Sequence, residues 1–201
     1  MKKIGLMGGS FDPIHYGHLI LAEQARDFLG LSQIIFIPAK TSPFKQNIKS
    51  APGEDRYKMV LAAIAGNTGF SSSRIELEGS EISYTYYTLY ACKKELGDDT
   101  EIYFICGTDS FLSIEKWFES EKILRNFPII IGSRPGDKEV EVDSLSEKLS
   151  KEYGSRIYKI DMPKIDISST DIKNRIREGR SIKYLVPEHV EEYIYENGLY
   201  Q

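Results

Sequence analysis

Apolar and polar residues fall along this chain in two alternating patterns. Short apolar runs, at residues 4–7, 34–37, 70–77, 101–106, 127–131 and 156–160, read as strands. Between them, apolar residues return every three or four positions, the spacing of one helix face. Residues 19–29 carry Leu21, Ala25, Phe28 and Leu29 in this way and stop at Gly30. Tyr57, Val60, Leu61 and Ile64 mark a second helix, and Leu89, Cys92 and Leu96 a third that begins near Thr85. Residues 111–124 predict an interrupted helix and residues 142–153 a charged surface helix. Ile172 with Ile176, and Val190 with Ile194, predict two more near the C-terminus. The first two strands lack apolar–polar alternation, so their sheet should be parallel and covered on both faces. Strand and helix alternate throughout. The prediction is an α/β fold, an open doubly wound parallel sheet of about six strands with C-terminal helices, in a single domain over residues 1–201.

Such sheets bind ligands beyond the carboxyl ends of the strands, where the strand order reverses. Polar segments follow the predicted strands at residues 8–18, 38–45, 107–109, 133–134 and, less directly, 168–170. They are expected along one edge. Residues 38–53 form a loop without periodicity, of a length more often functional than not.

Residues 8–18, Gly-Gly-Ser-Phe-Asp-Pro-Ile-His-Tyr-Gly-His, join the first strand to the first helix. Glycines let backbone approach a ligand closely. A helix start offers N–H groups and the positive end of a dipole, a seat for phosphate. His15 and His18 share a helix face at i and i+3, so both rings can reach one anion. The pair points to a nucleotide α-phosphate; a metal site and an ordinary surface or capping role are the alternatives, and no third ligand lies nearby in sequence. Ser168-Ser169-Thr170-Asp171 is a helix capping box, or equally a set of hydroxyls that would grip a β- or γ-phosphate. Lys173 and Arg177 add two cations on one face of that helix. Lys45 and Arg134 are either solvated cations or phosphate partners. Asp109 can accept from a ribose hydroxyl, hold magnesium-bound water or cap the next helix. Trp117 is core or a stacking surface for a flat ring.

Charge narrows the partners. The net charge is −4, acids and bases are interspersed, and no basic block exists, which argues against nucleic acid. Cys92 and Cys106 form no C-x-x-C and no disulfide framework, and read as buried thiols of a reducing cytosol. No apolar run approaches membrane-spanning length, and Met1-Lys2-Lys3 leads straight into a short strand. A cytoplasmic protein is expected, without a membrane partner. Nothing in the pattern sets the oligomeric state, and a homo-oligomer stays open.

The Gly8-to-His18 segment resembles the Gly-Gly-Thr-Phe-Asp-Pro-x-His-x-Gly-His signature of the nucleotidyltransferase superfamily, and Ile167-Ser168-Ser169-Thr170 resembles its second signature. Within it the chain is similar, over essentially its full length, to bacterial nicotinate-nucleotide adenylyltransferases. The supporting residues are Pro43-Phe44-Lys45, Ser83-Tyr84-Thr85, Gly107-Thr108-Asp109 followed by Trp117, Arg134-Pro135-Gly136, and the ending from Tyr184-Leu185-Val186-Pro187 through Gly198-Leu199-Tyr200. The resemblance implies a Rossmann-like fold and transfer of AMP from ATP to nicotinate mononucleotide, giving deamido-NAD and pyrophosphate. It implies His15 and His18 as catalytic residues. ATP would meet Gly8, Gly9, Ser10, Phe11, His15, His18, Gly107, Asp109, Arg134, Ile167, Ser168, Ser169 and Thr170. Nicotinate mononucleotide would meet Lys45, Ser83, Tyr84, Thr85 and Trp117, with the tryptophan stacked on the pyridine. Mg2+ would arrive with ATP, with no resident metal site. The chain departs from the family pattern at Phe44, at Tyr87 and at Lys173, where histidine, aspartate and arginine are common.

Overall fold

The computed structural model of the chain describes residues 1–43, 50–133, 138–163 and 165–201, without the side chain of Ser133. Its centre is a six-stranded sheet in the order β3-β2-β1-β4-β5-β6. The strands are β1 (Lys2–Gly9), β2 (Gln33–Pro38), β3 (Phe70–Ser72), β4 (Thr100–Gly107), β5 (Ile129–Ser133) and β6 (Ile157–Asp161). The expected doubly wound parallel sheet is present. β1 pairs parallel with β4 from Lys2 opposite Thr100 to Met7 opposite Ile105, and β4 pairs parallel with β5 up to Gly107 opposite Gly132. The strand order reverses between β1 and β4, the position at which such sheets open a crevice.

The helices are α1 (Tyr16–Leu29), α2 (Gly53–Ile64), α3 (Thr85–Leu96), α4 (Thr108–Leu112), α5 (Ser120–Asn126), α6 (Glu139–Tyr153), α7 (Ser169–Arg177) and α8 (Glu188–Glu196). The interrupted helix expected over residues 111–124 is α4, a 3-10 turn at Ile114–Lys116, and α5. The strand expected over residues 70–77 stops at Ser72. Beyond it the Glu78 N–H donates to the Arg74 carbonyl at 2.9 Å, and the Ser73 hydroxyl accepts from the Ile75 N–H at 3.3 Å. Arg74 also binds Glu54 and Glu78. These local bonds close a turn that outcompetes the strand ladder.

The chain gathers into two compact units. The first comprises residues 1–8, 21–35 and 84–164. Its core is aliphatic, built on Ile4, Leu6, Ile34, Ile102, Ile105 and Ile129 to Ile131 from the strands, with Ala22, Ala25, Leu89, Val142 and Leu149 from the helices. The second comprises residues 9–20, 36–83 and 165–201. Phe11, Phe36, Met59, Val60, Ile172, Ile176, Val190 and Ile194 are among its buried side chains. Tyr193 on α8 donates to Asp55 on α2 at 2.7 Å.

The end of α8 follows from one glycine. Gly198 sits at φ 57, the Leu199 N–H returns to the Ile194 carbonyl at 3.0 Å, and the Gly198 N–H returns to that of Tyr195 at 3.3 Å. This pair of bonds turns the chain back on itself and needs a left-handed residue at Gly198. Space around the site is open, the nearest atom to an added Cβ being 4.0 Å away, so a side chain there meets only backbone strain. Gly198→Ala should therefore lower stability by about 1 kcal/mol, seen in urea unfolding as a shifted midpoint with an unchanged slope. No shift would mean that the turn does not hold the tail.

Candidate active site

His15, His18, Ser10, Phe11, Ile167, Ser168, Ser169 and Thr170 all lie in the second unit. His15 is the residue before α1, and its carbonyl accepts the N–H of His18 at 3.0 Å. His18, in the first turn, returns the favour: its Nδ1 accepts from the His15 N–H at 3.3 Å. This is half of a capping box with imidazole in place of the usual carboxylate. An accepting Nδ1 leaves the proton on Nε2, so the far side of the His18 ring is a donor. The two rings lie 3.8 Å apart, tilted by 31°, as the i, i+3 spacing predicts. The edge of Phe11 meets His18 at 5.1 Å.

The glycine of the His-x-Gly-His element has a steric cause. A Cβ on Gly17 would come within 3.0 Å of the His15 ring and 3.7 Å of the Ile167 carbonyl. Only a residue without Cβ lets His15 stay where it is, 7% exposed. Phe11 holds φ at 47, a conformation that costs a non-glycine residue free energy, and its buried ring against Phe36 keeps it there.

The hydroxyls of the second signature divide their work. Ser168 caps α7, its hydroxyl oxygen accepting the Asp171 N–H at 3.1 Å, so its own proton is still available to an acceptor. Ser169 donates its proton to the Pro13 carbonyl at 2.9 Å, which fastens α7 to the histidine turn. Thr170 is exposed. The capping role foreseen for this segment is therefore present at Ser168.

Asp12 organises the turn. Its side chain is 5% exposed. One oxygen takes the Lys173 ammonium at 2.8 Å, and the other takes the Tyr200 hydroxyl at 2.8 Å and the Ala51 N–H at 3.0 Å. Burial alone would push this carboxyl up; Lys173 first, then Ala51 and Tyr200, outweigh it and hold the group below the usual carboxylate range. Lys173 is accordingly spent on Asp12 rather than displayed with Arg177 as a second phosphate cation. Arg56 is also buried, and its guanidinium donates to the carbonyls of Ser10, Ala51 and Lys40. A cation near the start of α2 runs against the helix dipole, which was its one signal in the sequence. A cavity of about 280 Å³ opens beside it, lined by Ser10, Lys40, Thr41, Ser42, Ser50 and Arg56 among others. Ser83 is a clip here, its hydroxyl accepting the Lys40 N–H at 3.0 Å and its N–H donating to Thr41.

Gly8, Tyr84, Thr85, Gly107, Asp109 and Trp117 belong to the first unit. Gly8, the next-to-last residue of β1, lies beside Phe104, whose ring is 5.6 Å from that of Trp117. Trp117 follows the 3-10 turn and donates its indole N–H to the Ser113 hydroxyl at 3.2 Å. Tyr84 precedes α3 and Thr85 begins it; Tyr84 and the exposed Tyr87 both pack on Phe118. Asp109, in the first turn of α4, is almost fully exposed and pairs with Lys138 at 2.7 Å. No motif had marked Lys138. Lys45 and Arg134 lie outside the described residues. Among the described residues no group of three or more His, Cys, Asp or Glu side chains gathers as a metal cage would, and no helix is long and apolar enough to cross a membrane.

Residues 6–175 match the cytidylyltransferase-like family. A relative from Thermoanaerobacter sp. (strain X514), described as a probable nicotinate-nucleotide adenylyltransferase, is 41% identical over 99% of this chain and 94% of its own length. One of the same description from Clostridium beijerinckii is 40% identical over the whole of both chains. Among solved structures, the Plasmodium falciparum nicotinic acid mononucleotide adenylyltransferase complexed with APC superposes with a TM-score of 0.77 at 25% identity, covering 100% of this chain and 98% of that one. The same enzyme complexed with NaAD superposes with a TM-score of 0.78 at 24% identity.

The Asp12 pair sets a pH dependence. A carboxyl held low in the folded state contributes stability that is complete above its unfolded value and is lost as pH falls through the folded one. Asp12→Asn should cost about 3 kcal/mol at pH 7, with the gap to the parent narrowing below about pH 4. Urea unfolding at pH 7 and pH 3 measures both, and an equal gap at the two would show that the charge is not what the network uses.

Proposed function

The chain belongs to the nicotinate-nucleotide adenylyltransferase family, and on that premise we propose how its residues move AMP from ATP to nicotinate mononucleotide to give deamido-NAD and pyrophosphate. The observation that carries the reading is the close pair of His15 and His18, with the bond accepted at Nδ1 placing the His18 proton on Nε2.

An oxygen of the mononucleotide phosphate attacks the α-phosphorus of ATP. A P–O bond forms as the bond to the bridging oxygen breaks, and that electron pair leaves on pyrophosphate. The nucleophile is already an anion, so no general base is needed; the enzyme's task is positioning and charge stabilisation. His18 donates to an α-phosphate oxygen, with His15 stacked behind it. Gly8, Gly9, Ser10 and Phe11 carry the backbone that approaches the triphosphate. The Ser168 hydroxyl, Thr170 and the first turn of α7 receive the leaving pyrophosphate, and Ser169 secures them through Pro13. Gly107 and Asp109 belong to the ATP side, and Tyr84, Thr85 and Trp117 to the pyridine side. A family of nucleotidyltransferases working on ATP calls for a divalent metal. The exposed carboxylate of Asp109, which pairs with Lys138, would suit a magnesium ion held mainly by triphosphate oxygens and water, where the ion would neutralise phosphate charge. Two buried cysteines, with the Cys106 thiol pushed up to about 12 by burial, suit a reducing cytoplasm.

His18→Ala should lower turnover about a hundredfold, the scale of one lost transition-state donor, in a pyrophosphate-release assay at saturating ATP; near-normal rates would sink the assignment. A pocket built for the pyridine carboxylate should prefer nicotinate mononucleotide over the nicotinamide form by about tenfold or more in kcat/KM. Equal use of both would count against the roles given to Thr85 and Trp117, with Tyr87 as the first residue to revert.

A further inference from the structure

Tyr200 is the next-to-last residue of the chain, and no step of the reaction above uses it. The Gly198 turn sends it back from α8, and its hydroxyl donates to Asp12, 188 residues earlier, at 2.8 Å. Asp12 stands three residues before His15 and six before His18. Its other oxygen is held by Lys173, the fifth residue of α7, whose ammonium also lies 5.9 Å from the centre of the Tyr200 ring. α7 opens with Ser169, and Ser169 binds the carbonyl of Pro13, the residue after Asp12. The Asp12-Pro13 unit is thus gripped by the helix that presents the second-signature hydroxyls and by the C-terminal tail.

That geometry has a consequence for orientation. A carboxylate with one oxygen on α7 alone can swing about that contact. With its second oxygen bound to a rigid aromatic hydroxyl and to the Ala51 N–H, its plane is set, and the backbone that leads into His15 is set with it. We infer that Tyr200 is a positioning residue for adenylyl transfer, acting through Asp12 to hold the histidine turn in register with the hydroxyls of α7. The inference rests on the adenylyltransferase reading for the reaction it serves, but the linkage itself does not need substrate.

The test is Tyr200→Phe in the full chain, which keeps the ring and removes the donor. Turnover should fall about tenfold, the scale of a small misplacement of catalytic groups, while KM for ATP and for nicotinate mononucleotide stays within about threefold. The chain has three histidines, His15, His18 and His189. In ring proton–carbon spectra without ligand, the His15 and His18 signals should move. Those of His189, exposed on α8 beside Glu192, should stay, and they report that the fold is kept. Unchanged turnover overturns the inference whatever the spectrum shows, and so does a fall in turnover with all three signals unmoved. Asp12→Asn supplies a second arm: adding Tyr200→Phe to it should cost no further turnover, and losses that add would mean that Tyr200 does not act through Asp12. A wild-type chain that made no deamido-NAD would instead remove the adenylyltransferase reading, and the histidine spectrum would still report on the link from Tyr200 to the turn.

Discussion

The carboxylate of Asp12 is buried, and a buried charge persists only where donors replace the water it has lost. Three do so, an ammonium, a phenol and a backbone N–H, each from a different part of the chain. Coulomb attraction to Lys173 is strong in so dry a place, and the two neutral donors occupy the remaining lone pairs. Removing any one of them leaves a polar group stranded, which is why the arrangement is a constraint rather than one contact among many. The histidine turn, the start of α2, helix α7 and the C-terminal tail depend on it together. Arg56 extends the same logic on the other side of the turn by satisfying three carbonyls, one of them Ser10.

Around this anchor, small residues and rings set the chemistry. Gly17 makes room for His15, the His15 N–H fixes the tautomer of His18, and Ser169 spends its proton on Pro13 so that α7 stays in place. An enzyme of this family needs no activated nucleophile. Its substrates bring their own charge, and the protein must hold like charges together and meet the charge that develops on the leaving group. Rigid donors serve that task better than reactive side chains, and Ser169, Arg56 and the His15 turn are accordingly held by hydrogen bonds that involve the backbone.

The first unit offers a different kind of surface. Gly107 ends β4, Asp109 follows it, and Trp117 sits just beyond the 3-10 turn that separates α4 from α5. The break matters, because a continuous helix would have carried Trp117 on a regular face. Ser113 instead holds the indole by its N–H. The cluster of Tyr84, Tyr86, Tyr87 and Phe118 next to it is aromatic and partly exposed, and Tyr87 adds ring surface to it.

Local features were legible in the amino-acid order. The strand–turn–helix rhythm, the i, i+3 histidines, the capping box at Ser168 and the interrupted helix before β5 all depend on residues a few positions apart, and steric rules act at that range. The signatures at residues 8–18 and 167–170 identified the family for the same reason, since each is one continuous turn. The strand foreseen through Leu77 failed because side-chain bonds within residues 73–78 were stronger than the pattern. Long-range partnerships left no spacing to read. Nothing in Gly198-Leu199-Tyr200 announces Asp12, and nothing near Lys173 says that its charge is spent on that carboxylate rather than offered to phosphate. Those choices belong to the tertiary structure alone: a buried charge takes whichever donors the packed chain brings within about 3 Å, and only folding decides which ones those are.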